Sequence, residues 1–225
     1  MLYTVRNIGK KVYKINITWY NIEVLNTIFY RRVKMSNEIT VKLKCSIKEL
    51  CNLLENKGFR IVEKYILDDT YFIPKELDLK DMSNREILSR AILLRDITEF
   101  IPERKVVKLT FKNKQIDDKG NILKQSKVDC EILNAETGKT FIEAIGYVEL
   151  MNIKENDIVY EKKGLQIAIK DIRDGDQLIE VETVKENTEF DTIDKIKQKI
   201  KELEIPIDTN DYFIKKAEIE LSKVL

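Results

Sequence analysis

Strict alternation of apolar and polar residues marks the strands of this chain. From Glu38 to Cys45 every second side chain is apolar, and the side chains between them are charged or, at Thr40, hydroxylic. Successive side chains of a strand point to opposite faces, so this period of two predicts a strand with one buried face. The same pattern predicts a hairpin over 106–133. Further strands are predicted near 60–71, 149–154, 165–172 and 177–183.

Helix-start signals lie between these strands. Ser46–Glu49 and Ser83–Glu86 both have the capping-box spacing, in which a Ser side chain and a Glu side chain three residues later bond reciprocally to backbone N–H groups. Gly58 is predicted to end the first helix, and another helix over 135–145 is predicted to end at Gly146. Helices inserted between antiparallel strands predict an α+β fold.

The C-terminal region predicts two more helices. Asp191 is expected to cap a helix that runs to Glu204, and Pro206 is expected to break it. Asn210 or Asp211 is then expected to open a terminal helix. These helices complete the predicted α+β domain.

Length and composition fit a soluble cytoplasmic protein. The chain has 225 residues, 43% hydrophobic and 35% charged. No run approaches the roughly 18 consecutive apolar residues of a membrane span, and no segment has the order of a signal peptide. The 3 Cys residues lack CxxC spacing, so reduced packing thiols are expected. We therefore expect a cytoplasmic location and no membrane partner.

The absence of histidine restricts the chemistry of the chain. With 0 His residues, Ser-His-Asp and Cys-His nucleophiles, His-ligated zinc and His general bases are excluded. Any reaction must use carboxylates, Lys, Arg, Tyr and bound ions.

Charge is distributed unevenly along the chain. Residues 1–34 carry seven basic side chains and a single acidic one, Glu23, whereas the remainder holds 33 basic and 38 acidic residues. The part of the chain after residue 34 therefore lacks the excess of basic residues typical of nucleic-acid-binding proteins, and no nucleic-acid partner is expected.

Residues 1–34 are predicted to be an N-terminal extension, and 35–225 the domain. An Arg31-Arg32 pair can be encoded by a ribosome-binding sequence, and Met35 follows after two further codons. One hypothesis is therefore that 1–34 arise from non-native upstream translation. The alternative is a genuine basic arm that packs on the body.

Each predicted strand has one apolar face and one face of mixed charge. A solvated sheet surface shows this pattern. A sheet curled into a barrel with a polar interior, holding a polyanion and metal ions, shows it too. The pattern alone leaves both interpretations open.

Six short strand motifs follow one another in a set order over about residues 37–221. They are Glu38–Lys42 (ExExK), Asp69–Phe72 (DxYF), Leu94-Arg95 (LRxR), Leu109–Lys112 (LTYK), Lys127–Glu131 (RxExE) and Ile179–Glu182 (ExE). This ordered set resembles the motifs of the CYTH superfamily, the triphosphate tunnel proteins that include class IV adenylyl cyclases and thiamine triphosphatases. The resemblance implies an antiparallel β-barrel with flanking helices.

The resemblance also implies a site and a ligand. The expected ligand is a triphosphate such as ATP, thiamine triphosphate or tripolyphosphate, held with Mg²⁺ or Mn²⁺, and a homodimer is possible. The expected activity is that of a cyclase, which is a phosphorus-oxygen lyase, or of a triphosphatase. By this resemblance the phosphate contacts are Lys42, Arg95, Lys112 and Lys154, and the metal ligands are Glu38, Glu131, Glu180 and Glu182.

Departures from the motifs favour a second hypothesis. Thr40 stands at the second Glu of ExExK, Leu93 at the first Arg of LRxR, and Asn156 at the Arg of a KxR motif. These changes remove one metal carboxylate and two phosphate cations. A degenerate, non-catalytic domain that binds a phosphorylated ligand or a protein is therefore the alternative.

One further motif is rejected as a phosphate site. Gly138-Lys-Thr140 matches the end of a P-loop, but Leu133 occupies the position of its first Gly. The segment also lacks the glycine-rich turn that cradles phosphates.

Overall fold

A computed structural model describes residues 38–116, 122–183 and 192–225. The middle of the predicted hairpin at 117–121 and the predicted cap Asp191 fall outside these ranges. Residues 1–34 do too, and the predictions for them stay predictions. No helix in the described part is long and apolar enough to cross a membrane. The strands are β1 (Glu38–Lys42), β2 (Arg60–Pro74), β3 (Ile92–Ile101), β4 (Glu103–Ile116), β5 (Ile122–Ile132), β6 (Tyr147–Lys162), β7 (Leu165–Ile172) and β8 (Gln177–Thr183).

The helices are α1 (Ile47–Asn56), α2 (Asn84–Ser89), α3 (Ala135–Ala144), α4 (Ile193–Glu202) and α5 (Lys216–Leu221). Both capping boxes form as predicted, at Ser46 and Ser83. Thr192 is the N-cap of α4, because its hydroxyl accepts the N–H of Lys195. The predicted α+β class is therefore confirmed.

The eight strands form one antiparallel sheet in the order β1-β8-β7-β6-β2-β3-β4-β5. The predicted hairpin of β4 and β5 is present, with Val107 opposite Ile132. Strand β6 is much longer than the predicted 149–154, since it pairs with β2 along almost its whole length. The apolar run after Ala91 is a full strand, β3, that the sequence pattern did not delimit.

The sheet is open, because a C-terminal segment occupies the outer edge of β1. Thr40 donates its N–H to the Tyr212 carbonyl at 3.1 Å and accepts the N–H of Ile214 at 3.1 Å. The carbonyl of Lys42 accepts the N–H of Asp208 at 2.8 Å. The described residues therefore contain no β1–β5 ladder, and the barrel expected from sequence is not closed by backbone pairing.

The same segment explains why the terminal helix starts late. Around Ile207 the segment bridges β1 antiparallel and around Phe213 it bridges β1 parallel, so the chain bends between these points instead of starting a helix at Asn210 or Asp211. Helix α5 begins only at Lys216.

Apolar clusters cover both faces of the sheet. On the face that carries Ile39 and Ile167, α1 and α4 cover the β1–β7 side, and α3 packs against Phe72 and Leu94. On the opposite face, Leu221 of α5 and Ile87 of α2 join a cluster with Met151, Ile153, Ile172 and Leu178. Helices α2 and α5 therefore cover only part of this second face, and the rest of it carries charged side chains.

Gly138 serves close packing of α3 rather than phosphate binding. A Cβ at this position would lie 2.3 Å from Cδ1 of Ile132 and 3.0 Å from Cδ1 of Leu94. The glycine of the rejected P-loop motif is therefore required where the helix touches the sheet.

We predict that Gly138→Ala lowers the free energy of unfolding by about 1–3 kcal/mol, because overpacking outweighs the roughly 1 kcal/mol helix-propensity advantage of Ala. Urea denaturation measures this change. Thr140→Ala, at an exposed position of the same helix, is the control and should stay within about 0.5 kcal/mol. A Gly138→Ala protein as stable as the parent would contradict this packing role.

Candidate functional site

Cross-strand register brings charged side chains from many strands onto one face of the sheet, which we call the charged face. Directly opposed residues of an antiparallel sheet share a face. Glu38 lies opposite Glu182, and Thr40 opposite Glu180. In further rows, Lys170, Asp157 and Tyr65 lie side by side, as do Asp69, Arg95, Lys108 and Glu131.

Asp69 and Arg95 form the central ion pair of the charged face. Nε and Nη2 of Arg95 donate to the two carboxylate oxygens of Asp69 at 2.7 and 2.6 Å. Asp69 is fully buried, and burial alone would raise its pKa. The hydrogen bonds and charge of Arg95 outweigh burial, with Lys216 and Lys112 adding to the effect, so the pKa is lowered.

Helix α5 supplies a second buried pair. Nζ of Lys216 lies 2.6 Å from Oε1 of Glu155 and 3.7 Å from Oδ2 of Asp69. Both carboxylates are 0% exposed. The C-terminal helix therefore inserts a cation among carboxylates of β2 and β6.

Asp157 and Lys170 form the third buried pair. Nζ of Lys170 lies 3.2 Å from Asp157 and 3.6 Å from Glu180. Burial, with repulsion from Glu155, raises the pKa of Asp157 to about 6 despite the nearby lysine. Oδ1 of Asp157 and Oε2 of Glu155 have no hydrogen-bond partner among the described residues. The interior is thus densely charged, with some oxygen atoms left for another donor.

One wall of the charged face, formed by β1 and β8, has an excess of negative charge. Burial raises the pKa of Glu38, and repulsion from Glu180 raises it further. Burial and repulsion from Glu180 and Glu38 likewise raise the pKa of Glu182. These carboxylates favour a proton or another cation.

The other wall, formed by β3, β4 and β5, has an excess of positive charge around Lys108. Burial lowers the pKa of Lys108, and repulsion from Lys127 and Arg95 lowers it further, although Asp129 opposes them. This wall therefore favours an anion.

A charge on one wall acts on a carboxylate of the other wall, which indicates that the sheet is curved. Six inter-strand steps separate β4 from β1 in the sheet order, which is about 29 Å in a flat sheet. That distance is about three Debye lengths at 0.1 M salt. Lys112 of β4 nevertheless lowers the pKa of Glu38 on β1. The open sheet therefore curves around a charged concavity.

The sheet brings six of the eight residues predicted from sequence close to this concavity. Glu38, Glu180 and Glu182 form the negative wall, and Arg95 and Lys112 contribute to the positive wall. Glu131 lies opposite Lys108 at the rim.

The other two predicted residues lie outside the concavity. Lys42 shares the face of Glu38 by strand alternation, but it lies at the end of β1, where it is exposed and pairs with Asp176 at 2.5 Å. Lys154 lies opposite Asp68 and pairs with it at 2.7 Å. Since Asp68 and Asp69 point to opposite faces, Lys154 is on the wrong face of the sheet to reach Arg95.

Sequence reasoning missed Glu155, Asp157 and Lys216. Glu155 and Asp157 lie on the face of β6 opposite to Lys154. The length of β6 and its pairing with β2 were therefore needed to place them. Lys216 comes from a helix that packs over the sheet, and no motif indicated it. Lys170 was recognised as a charged strand position but not as part of the site.

No group of three or more acidic, Cys or His side chains in the described ranges is arranged to hold a metal ion. Glu38, Glu180 and Glu182 are nevertheless neighbours on adjacent strands. Their negative charges repel one another. Carboxylate oxygens are ligands that Mg²⁺ takes in proteins.

Comparison with solved structures shows which proteins share this fold. PH1819 from Pyrococcus horikoshii OT3 is 20% identical, with a TM-score of 0.59 over 84% of this chain and 99% of its own. PH1012 from the same organism is 15% identical, with a TM-score of 0.53 over 79% and 97%. A "putative adenylate cyclase" from Vibrio parahaemolyticus is 11% identical, with a TM-score of 0.52 over 83% and 97%.

These similarities establish a common fold with an adenylate cyclase-like protein, at identities too low to establish more. Protein-family models and curated proteins give no match to the sequence.

We predict that Glu182→Gln stabilises the protein at pH 8. A raised folded-state pKa means that stability is lost as pH rises through that pKa, and Gln carries no charge to repel Glu38. Removing a like-charge pair of directly opposed residues should gain about 0.2–1 kcal/mol. Urea denaturation at pH 8 and pH 4 should show this gain shrinking at the lower pH.

Glu76→Gln, at an exposed position outside the charged face, is the matched control and should show no such pH-dependent gain. A Glu182→Gln variant that is less stable than the parent at pH 8 would show that this carboxylate is satisfied in the folded protein.

Proposed function

We propose that this protein binds a nucleotide or another triphosphate, together with Mg²⁺ or Mn²⁺, in the charged concavity. The observation that carries the proposal is the placement of carboxylates of β1 and β8 and of basic side chains of β3 and β4 on the same face of one sheet. Carboxylates of β1 and β8 have raised pKa values, and Lys108 of β4 has a lowered one. Each wall therefore favours a ligand group of opposite charge.

A metal–triphosphate complex has the charge pattern that these walls complement. Its phosphate oxygens are acceptors for lysine and arginine donors, and its divalent cation requires carboxylate oxygens. Lys112 and Lys108 are the proposed phosphate contacts, with Arg95 fixed beside them by Asp69. Glu38, Glu180 and Glu182 are the proposed metal ligands.

Two reactions suit such a complex. In cyclisation, the ribose 3′-hydroxyl of ATP loses its proton and attacks the α-phosphate, and the bond to pyrophosphate breaks. In hydrolysis, water attacks the terminal phosphorus, and the bond to the rest of the phosphate chain breaks to release orthophosphate. Both depend on positioning and charge neutralisation, which Lys112, Arg95 and the bound cation would supply. The shared fold with a protein described as an adenylate cyclase supports the first reaction by analogy of fold alone.

A second candidate function is binding without catalysis. Arg95, Lys170 and Lys216 are already paired with the buried carboxylates of Asp69, Asp157 and Glu155. Part of the positive charge is thus neutralised inside the protein, which leaves fewer cations for a transition state. The substitutions at Thr40 and Leu93 favour the same candidate.

Isothermal titration with tripolyphosphate and Mg²⁺ tests binding. We predict that Lys112→Ala weakens binding about ten- to a hundredfold, because a charge-assisted contact contributes about 1.5–3 kcal/mol. Lys154→Ala is the matched control, since this lysine lies on the opposite face, and it should bind like the parent. Equal losses in both variants, or no binding by the parent protein, would contradict the proposed site.

Turnover assays with Mn²⁺ separate the two candidate functions. Release of cyclic AMP from ATP or of phosphate from tripolyphosphate, lost in Lys112→Ala, supports catalysis. Tight binding without turnover of ATP, thiamine triphosphate or tripolyphosphate supports the non-catalytic candidate.

A further inference from the structure

The two edges of the sheet are treated differently. The outer edge of β1 is hydrogen-bonded to 206–214, as described above. The outer edge of β5 has no such cover in the described ranges, where β5 pairs with β4 alone. At 11 residues β5 is also a long edge strand. Unpaired N–H and C=O groups along such an edge are a template for another strand.

Side chains along β5 are consistent with an uncovered edge. Residues 126–131 are all exposed. Val128 is 63% exposed and lies opposite Phe111, which is itself 37% exposed. Proteins usually protect a long edge with charged side chains, prolines, bulges or covering loops. Lys127 and Asp129 of β5 are charged, but they pair with each other at 2.8 Å. The exposed apolar pair of Val128 and Phe111 beside this edge indicates a surface that another chain covers.

The sequence of β5 is self-complementary in one antiparallel register. With Val128 opposite Val128 of a second copy, Lys127 lies opposite Asp129 and Ser126 opposite Cys130, each twice by symmetry. Opposite charges at directly opposed positions stabilise strand pairing, and the apolar residue falls on the two-fold axis. A register shifted by one residue, centred on Lys127, would instead oppose two lysines.

We propose that two copies of this chain associate through β5, pairing antiparallel about Val128 to continue the sheet across a two-fold axis. Lys127 and Asp129 then form reciprocal ion pairs at the rim of the two charged concavities. Val128 and Phe111 of both copies are covered on the opposite face. This inference is independent of the ligand proposed above.

Sedimentation equilibrium of the full chain over a range of concentrations tests the association. We expect a dimer for the parent protein and at least a tenfold weaker dimer for Val128→Lys, because two lysines would meet on the axis. Val148→Lys, at an apolar strand position that is 39% exposed, is the matched control and should dimerise like the parent. A monomeric parent, or equal association of both variants, would overturn the proposal.

Disulfide trapping tests the register. Directly opposed residues have Cβ atoms about 4.5–5.5 Å apart, close to disulfide geometry, whereas residues four apart in one strand are too distant to bridge. Ser126→Cys should therefore form an intermolecular disulfide with native Cys130 under mild oxidation. The double variant Ser126→Cys/Cys130→Ser should lose it. Trapping that persists in the double variant would exclude this register.

Discussion

The buried carboxylate of Asp69 is the constraint on which the charged face depends. An ionised group in the centre of a sheet is costly unless it is paired and hydrogen-bonded. Arg95 meets this requirement from the neighbouring strand with two short hydrogen bonds, and Lys216 adds a second positive charge from α5. The β2–β3 register places Asp69 opposite Arg95, so this pair depends on the correct pairing of the two strands.

Helix α5 is held on the charged face by a related interaction. Helices α2 and α5 cover an apolar part of the charged face, and Lys216 anchors α5 to carboxylates of β2 and β6. The C-terminal segment before α5 then occupies the edge of β1. Residues 206–216 therefore cover the edge of β1, where a barrel would close, and place Lys216 in the concavity.

Period-two alternation was enough to predict the class of the fold, the β4–β5 hairpin and the face of Glu38, Glu180 and Glu182. It could not place Lys154, because β6 carries polar residues on both faces and only the pairing with β2 decides which face is the concave one. It also could not reveal Lys216, since a helix contributes to this site through tertiary packing. The covered edge of β1 depends on backbone hydrogen bonds of 206–214, which have no signature in hydrophobic periodicity.

The central claim is that one curved face binds a cation on one wall and a phosphate on the other. Crystals grown with Mn²⁺ and tripolyphosphate test it directly, because anomalous scattering locates Mn²⁺ independently of the protein. The account predicts a Mn²⁺ peak within ligand distance, about 2–2.3 Å, of oxygen atoms of Glu38, Glu180 or Glu182, with phosphate oxygens bridging from that ion to Lys112. Mn²⁺ and tripolyphosphate found only on the outer surface, or a concavity that stays without them, would contradict it.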